Sequence, residues 1–166
     1  MKMKSADEQI LQSVSSMLIE NKLKIATAES CTGGLIAHTF TNISGSSDFF
    51  ECGIVSYSNR SKTERLGISE ELLNEYGAVS EPVAKAMAEG IRKKADVDIG
   101  LSTTGIAGPT GGTPEKPVGL IFIGLSTKTD TVVKKYHFKG SRLENKNSTC
   151  NAALEMLYNY LEKLGD

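Results

Sequence analysis

Apolar residues recur at helical spacing near the start of the chain. Ile10, Leu11, Val14, Met17 and Leu18 fall on one face, behind Ser5-Ala-Asp-Glu8, which reads as a capping box. The period then shortens: Leu23, Ile25, Ala26 and Ala28 predict a short buried strand that stops at Glu29-Ser-Cys-Thr-Gly-Gly34. A helix is expected from about Gly33 to Asn42, a loop over Ile43–Asp48 and an apolar strand over Phe49–Ser56. Tyr57–Lys62 reads as a polar loop, followed by two short helical pieces near 62–66 and 70–76. Ser80-Glu-Pro82 opens a helix to about Lys94 through the sequence cap, acid, proline. Val97–Thr103 is another strand, and it runs into Thr104–Pro117, the longest breaker-rich stretch. Segments 118–127 and 131–138 predict a hairpin about Lys128-Thr-Asp130, and Ser141-Arg-Leu-Glu144 caps a long final helix. Strands and helices alternate first, and then two strands come together. That order predicts an α/β layered sandwich with a mixed β-sheet flanked by helices, as a single domain over residues 1–166.

Three of the breaker-rich loops follow strands: Glu29–Gly34, Tyr57–Lys62 and Thr104–Gly112. Loops at the carboxyl edge of parallel strands converge on one crevice, where ligands bind. Ser30, Tyr57, Lys62 and Thr104 are therefore expected near one another. A strand that turns sharply into a helix also aims backbone N–H groups, here those of Thr32, Gly33 and Gly34, at whatever sits beside the turn. Such a turn makes an anion or oxyanion hole. Singly, each residue has a bland explanation: a serine before a helix is usually a cap, and a loop lysine or tyrosine is usually solvated. Their joint occurrence after three strands points to a site.

Most nucleophile recipes fail. His38 falls in a helical pattern and His137 in a strand, which argues against Ser–His–acid catalysis. There is no phosphate-loop Gly-Lys-Ser/Thr, no Gly-x-Gly-x-x-Gly and no Ser-x-x-Lys. The remaining way to activate Ser30 is a lysine kept neutral by burial. Lys62 is the candidate, and the Tyr57 hydroxyl could relay the proton. A thiol alternative uses Cys31 as nucleophile with Glu29 and Lys62 as helpers.

Composition narrows the partners. With 39% hydrophobic and 23% charged residues and a formal net charge of −1, nothing marks a polyanion as partner, so no nucleic acid is expected. No apolar run is long enough to span a bilayer and no signal pattern opens the chain, so no membrane is expected. Three cysteines, Cys31, Cys52 and Cys150, and two histidines make no zinc pattern. The simplest reading is a cytoplasmic protein with neither metal nor cofactor.

The motifs Ala28-Glu-Ser-Cys-Thr-Gly-Gly34, Gly45-Ser-Ser47, Val55-Ser-Tyr-Ser-Asn59 with Lys62, Gly77-Ala-Val-Ser-Glu81, Met87-Ala-Glu-Gly90, Thr104-Gly-Ile-Ala-Gly-Pro109 and Lys116-Pro-Val-Gly119 stand in order. Together they closely resemble the CinA C-terminal domain family, the nicotinamide-nucleotide amidases, over nearly the whole chain. The resemblance implies a stand-alone amidase that hydrolyses the carboxamide of nicotinamide mononucleotide to nicotinate mononucleotide and ammonia, and a homodimer or higher homo-oligomer. It implies Ser30 as nucleophile, with Tyr57 and Lys62 activating it. Thr32, Gly33, Gly34, Gly45, Ser47, Thr104, Gly105, Gly108 and Arg142 are the expected substrate-binding positions. Arg142 and the Thr104–Gly108 loop are the natural phosphate binders. Ser141 stands where the family pattern has Asp, and either residue can cap the helix. Lys146 stands where a second arginine is common, and a lysine cannot make a bidentate contact there. The third reading is a non-catalytic nucleotide-binding module linked to competence or damage.

Overall fold

The computed structural model describes residues 6–165, and the expected cap at Ser5 lies outside them. Six helices and five strands follow in order: α1 (Ala6–Glu20), β1 (Ile25–Glu29), α2 (Leu35–Thr41), β2 (Phe50–Val55), α3 (Asn59–Leu66), α4 (Glu70–Tyr76), α5 (Glu81–Lys94), β3 (Ile99–Gly105), β4 (Leu120–Ser126), β5 (Thr131–His137) and α6 (Arg142–Glu162). A short 3-10 turn at Ser46–Asp48 leads into β2. The sheet order is β2-β1-β3-β4-β5. β1 runs parallel to β2 and β3, whereas β3–β4 and β4–β5 are antiparallel, so the sheet is mixed as expected.

Period-two alternation sorts β1 onto the two faces of the sheet. Ile25 joins Leu18, Phe40, Leu154 and Leu157 from α1, α2 and α6. Ala26 and Ala28 join Leu66, Leu73, Val83 and Met87 from α3, α4 and α5. Small side chains on that second face let α5 lie close. At Gly100 a Cβ would stand 2.1 Å from the Ala88 carbonyl oxygen, so only glycine admits the helix at this distance.

One element begins earlier than the apolar pattern predicts. Tyr57–Lys62 is a turn only as far as Ser58, whose hydroxyl accepts the Ser61 amide at 3.1 Å and caps α3. The first turn of α3, Asn59-Arg-Ser-Lys62, is wholly polar, so no hydrophobic period marks it. The consequence is functional: Lys62 sits on a helix and not in a flexible loop.

Parallel pairing also fixes which loops share an edge. The segments after Glu29, Val55 and Gly105 all leave the same end of the sheet. The Gly45–Asp48 segment enters β2 at Phe50, opposite Ile25, and therefore lies at the other end. There the Ser47 carbonyl accepts from Lys24 Nζ at 3.1 Å.

Candidate active site

The turn after β1 is built around a buried carboxylate. Glu29, 1% exposed, accepts the Ile36 and Ala37 amides at 2.9 and 3.0 Å and the Thr32 hydroxyl at 2.7 Å. It thereby supplies the cap that Gly34, at the N-cap of α2, has no side chain to give. Gly33 and Gly34 take φ of +63° and +99°, a left-handed pair that L side chains rarely adopt, so the chain can reverse within four residues. Thr32 turns inward and shares a 2.7 Å hydrogen bond with Thr103 on β3. Ser30 is left at the carboxyl edge, with its amide donating to the Thr103 carbonyl at 3.0 Å.

Lys62 meets it from α3. Its Nζ lies 3.0 Å from Ser30 Oγ and donates to the Ser56 carbonyl at 2.7 Å. The lysine is 1% exposed, and among the described residues no carboxylate pairs with it. Burial without a counter-charge penalises the ammonium form, so the Lys62 pKa falls below the ordinary lysine value of 10.5; the nearby Cys31 thiol opposes this. As a free amine, Lys62 has two N–H donors and one lone pair. The Ser56 carbonyl takes a donor, which leaves the lone pair free to accept the Ser30 hydroxyl proton.

The adjacent thiol is differently placed. Cys31 is 6% exposed and burial pushes its pKa up to about 12, against a hydrogen bond from Thr103 that lowers it. It is a protonated thiol at neutral pH. Its expected helper, Glu29, is committed to α2. Neither requirement of a thiol nucleophile is met.

Ser30, Lys62, Tyr57, Thr104, Gly105, Gly108 and Arg142 all line one cleft of about 270 Å³. Within it the roles divide. Thr104 is 1% exposed and its hydroxyl donates to the Ala78 carbonyl at 2.7 Å, bracing the approach to α5. The Tyr57 hydroxyl does not meet Ser30 or Lys62, contrary to the expected relay. It accepts from Arg142 Nη2 at 2.9 Å, because Tyr57 leaves the end of β2 at the cleft mouth, 62% exposed, while Lys62 reaches the floor from α3. Arg142 Nη1 donates to the Gly108 carbonyl at 2.7 Å. No carboxylate pairs with Arg142 among the described residues. Gly45 and Ser47 are not brought to this cleft, since parallel pairing sends them to the opposite end of the sheet. Of the expected oxyanion amides, that of Gly33 is already given to the Ser30 carbonyl at 3.1 Å. No group of three or more His, Cys, Asp or Glu side chains is gathered as a metal cluster among the described residues, and no helix among them is long and apolar enough to cross a membrane.

Three contributors, Asn145, Ala78 and Val79, were not singled out from the sequence. Asn145, 1% exposed, accepts the Gly140 amide at 2.9 Å and donates to the Ala107 carbonyl at 3.0 Å, so α6 grips the cleft wall at consecutive carbonyls through Asn145 and Arg142. Its signal was a polar residue heading the stripe Asn145, Thr149, Ala152, Ala153, Met156, which is otherwise core. Ala78 and Val79 line the cleft from the Gly77-Ala-Val-Ser motif, to which no role had been given.

With this geometry in place, likeness to known proteins becomes informative. A family model described as the CinA C-terminal domain matches residues 7–161. A CinA-like protein from Syntrophus aciditrophicus is 54% identical over 93% of this chain, and one from Kosmotoga olearia is 50% identical over 91%. The chain spans 37% of the length of each of these relatives. Among solved structures, a competence/damage inducible protein from Agrobacterium tumefaciens is 36% identical with a TM-score of 0.91, covering 98% of this chain and 99% of that one. A CinA superfamily protein from Klebsiella pneumoniae is 27% identical with a TM-score of 0.92, covering 96% and 99%.

Burying an unpaired amine costs stability, so Lys62→Met is expected to hold or raise the melting temperature at pH 7, by about 2–4 °C for each kcal/mol relieved. With its folded pKa depressed, wild-type stability should rise with pH between that lowered value and 10.5, narrowing the gap to the variant. A thermal melt in which Lys62→Met loses several degrees would show that the amine stabilises the fold.

Proposed function

The chain belongs to the CinA C-terminal domain family, and from that premise we propose that it is an amidohydrolase converting nicotinamide mononucleotide to nicotinate mononucleotide and ammonia. The observation that carries this reading is the 3.0 Å contact between Ser30 Oγ and a buried Lys62 amine with no carboxylate partner. A structural lysine has no need of such a place, whereas an amide, as a poor electrophile, needs an activated nucleophile.

Neutral Lys62 takes the Ser30 hydroxyl proton as Oγ bonds to the carboxamide carbon. The C–N bond then breaks, and the same proton leaves with ammonia. Water attacks the resulting ester, Lys62 again accepts a proton and returns it to Ser30 Oγ, and the product departs as the carboxylic acid, which gives its remaining proton to solvent. Negative charge on the carbonyl oxygen needs donors during both steps, and with the Gly33 amide already taken the Thr32 and Gly34 amides of the turn beside Ser30 are the candidate source. The unneutralised guanidinium of Arg142 at the mouth suits the 5′-phosphate. Three free cysteines fit a reducing cytoplasm.

A second reading rests on names alone. The Agrobacterium tumefaciens relative is described as competence/damage inducible, which would suit a nucleotide-binding module without turnover. Such a module has no use for a buried lysine held against a serine without a carboxylate partner, so the enzymatic reading is preferred.

Ammonia release from nicotinamide mononucleotide tests it. Ser30→Ala should abolish release while costing about 1–3 kcal/mol of stability, since the buried Lys62 amine loses a hydrogen-bond partner. Cys31→Ala should keep substantial activity; the reverse pattern would transfer the role to the thiol, and an inactive wild type would favour the module. Arg142→Ala should raise the Michaelis constant for the mononucleotide by about one to two orders of magnitude, since charged hydrogen bonds contribute roughly 1.5–3 kcal/mol. The riboside, which lacks the phosphate, should suffer much less. Equal losses on both would pass the phosphate to the Thr104–Gly108 loop.

A further inference from the structure

Tyr57 was expected beside Ser30 as a proton carrier, and its hydroxyl is instead spent on Arg142 at 2.9 Å. We propose that Tyr57 is a positioning residue for substrate recognition, which holds the Arg142 guanidinium toward an anionic group of the substrate and takes no part in proton transfer. The proposal rests on the amidase reading for the identity of that anion, the phosphate of a pyridine mononucleotide, but its contacts stand without it.

Three observations carry it. First, the Ser30–Lys62 pair is already in direct contact, so there is no gap for a relay to bridge. Second, the pair sits on the cleft floor, 8% and 1% exposed, whereas Tyr57 is 62% exposed at the mouth. Third, Arg142 is fixed from two separate segments: the Tyr57 hydroxyl takes Nη2, and the Gly108 carbonyl takes Nη1 at 2.7 Å. Two acceptors from different loops define the plane of a guanidinium, which otherwise swings on a long flexible stem. Both acceptors are neutral, so the positive charge is oriented without being cancelled. A guanidinium has five N–H donors; two are used here, and those remaining are available to an anion. A carboxylate in place of either acceptor would have oriented the arginine equally well and neutralised it.

Tyr57→Phe removes the hydroxyl and keeps the ring, which makes it the discriminating change. It should raise the Michaelis constant for nicotinamide mononucleotide by about two- to tenfold, the usual worth of one hydrogen bond. The Michaelis constant for the riboside should move far less, and kcat and the pH–rate profile should keep their wild-type form. In an Arg142→Ala background the same change should have little further effect, because its only route of action has gone. A proton relay predicts the opposite: a fall in kcat of about a hundredfold on both substrates with the Michaelis constants held, and that result overturns the proposal. Calorimetry separates this from failure of the amidase reading. Ser30→Ala should bind the mononucleotide, and Ser30→Ala with Tyr57→Phe should bind it about two- to tenfold more weakly. If wild type releases no ammonia but this affinity difference appears, the amidase reading fails and the role of Tyr57 stands. Equal affinities, or no binding to Ser30→Ala, overturn the proposal.

Discussion

A lysine amine buried to 1% exposure, with a serine hydroxyl and one backbone carbonyl as its hydrogen-bond partners, is the constraint around which this site is arranged. Desolvation opposes the ammonium form, and among the described residues no carboxylate offsets it. Three elements have to cooperate to keep the amine there. β1 delivers Ser30 to the sheet edge, and the end of β2 delivers the Ser56 carbonyl. The Ser58 cap then turns the chain at once into α3, so that Lys62 points back under both. Moving α3 by one residue would rotate Lys62 by about 100° around the helix axis and out of reach of Ser30.

The carboxylate beside the nucleophile is kept busy elsewhere. Glu29 lies one residue from the nucleophile, and its oxygens are taken up by two α2 amides and the Thr32 hydroxyl. A free carboxylate there would draw Lys62 toward its protonated form and extinguish it as a base. Spending Glu29 on the helix terminus both caps α2 and leaves Lys62 without a partner. The same economy holds at the mouth, where neutral acceptors orient Arg142. Polar contacts fix each charged group while leaving the charge available.

Much of this was legible in the sequence because it depends on local chemistry. The strand–turn–helix at Glu29–Gly34, the caps at Ser80 and Ser141, and the mixed sheet follow from period, cap residues and breakers, and all three appear in the structure. The convergence of Ser30, Lys62 and Thr104 was readable because parallel strands send their following loops to one edge, whereas Arg142, which opens α6, was expected there from the family resemblance alone. What was not legible depends on long-range geometry. The polar first turn of α3 has no hydrophobic period to announce it. The direction of the Tyr57 hydroxyl is decided by Arg142, 85 positions away in sequence. Gly45 and Ser47 were grouped with the site by motif, although strand direction carries their loop to the other end of the sheet.

The central claim is that burial against Ser30 without a counter-charge holds the Lys62 pKa below the ordinary lysine value and so makes the amine available as a base. NMR titration of carbon-labelled lysine side chains, with Lys62 assigned by its absence in Lys62→Met, measures this directly. The account predicts a Lys62 resonance titrating clearly below 10.5 while the exposed lysines titrate near it. A Lys62 that titrates at or above 10.5 would be an ammonium in the folded protein, and it could not take the proton from Ser30.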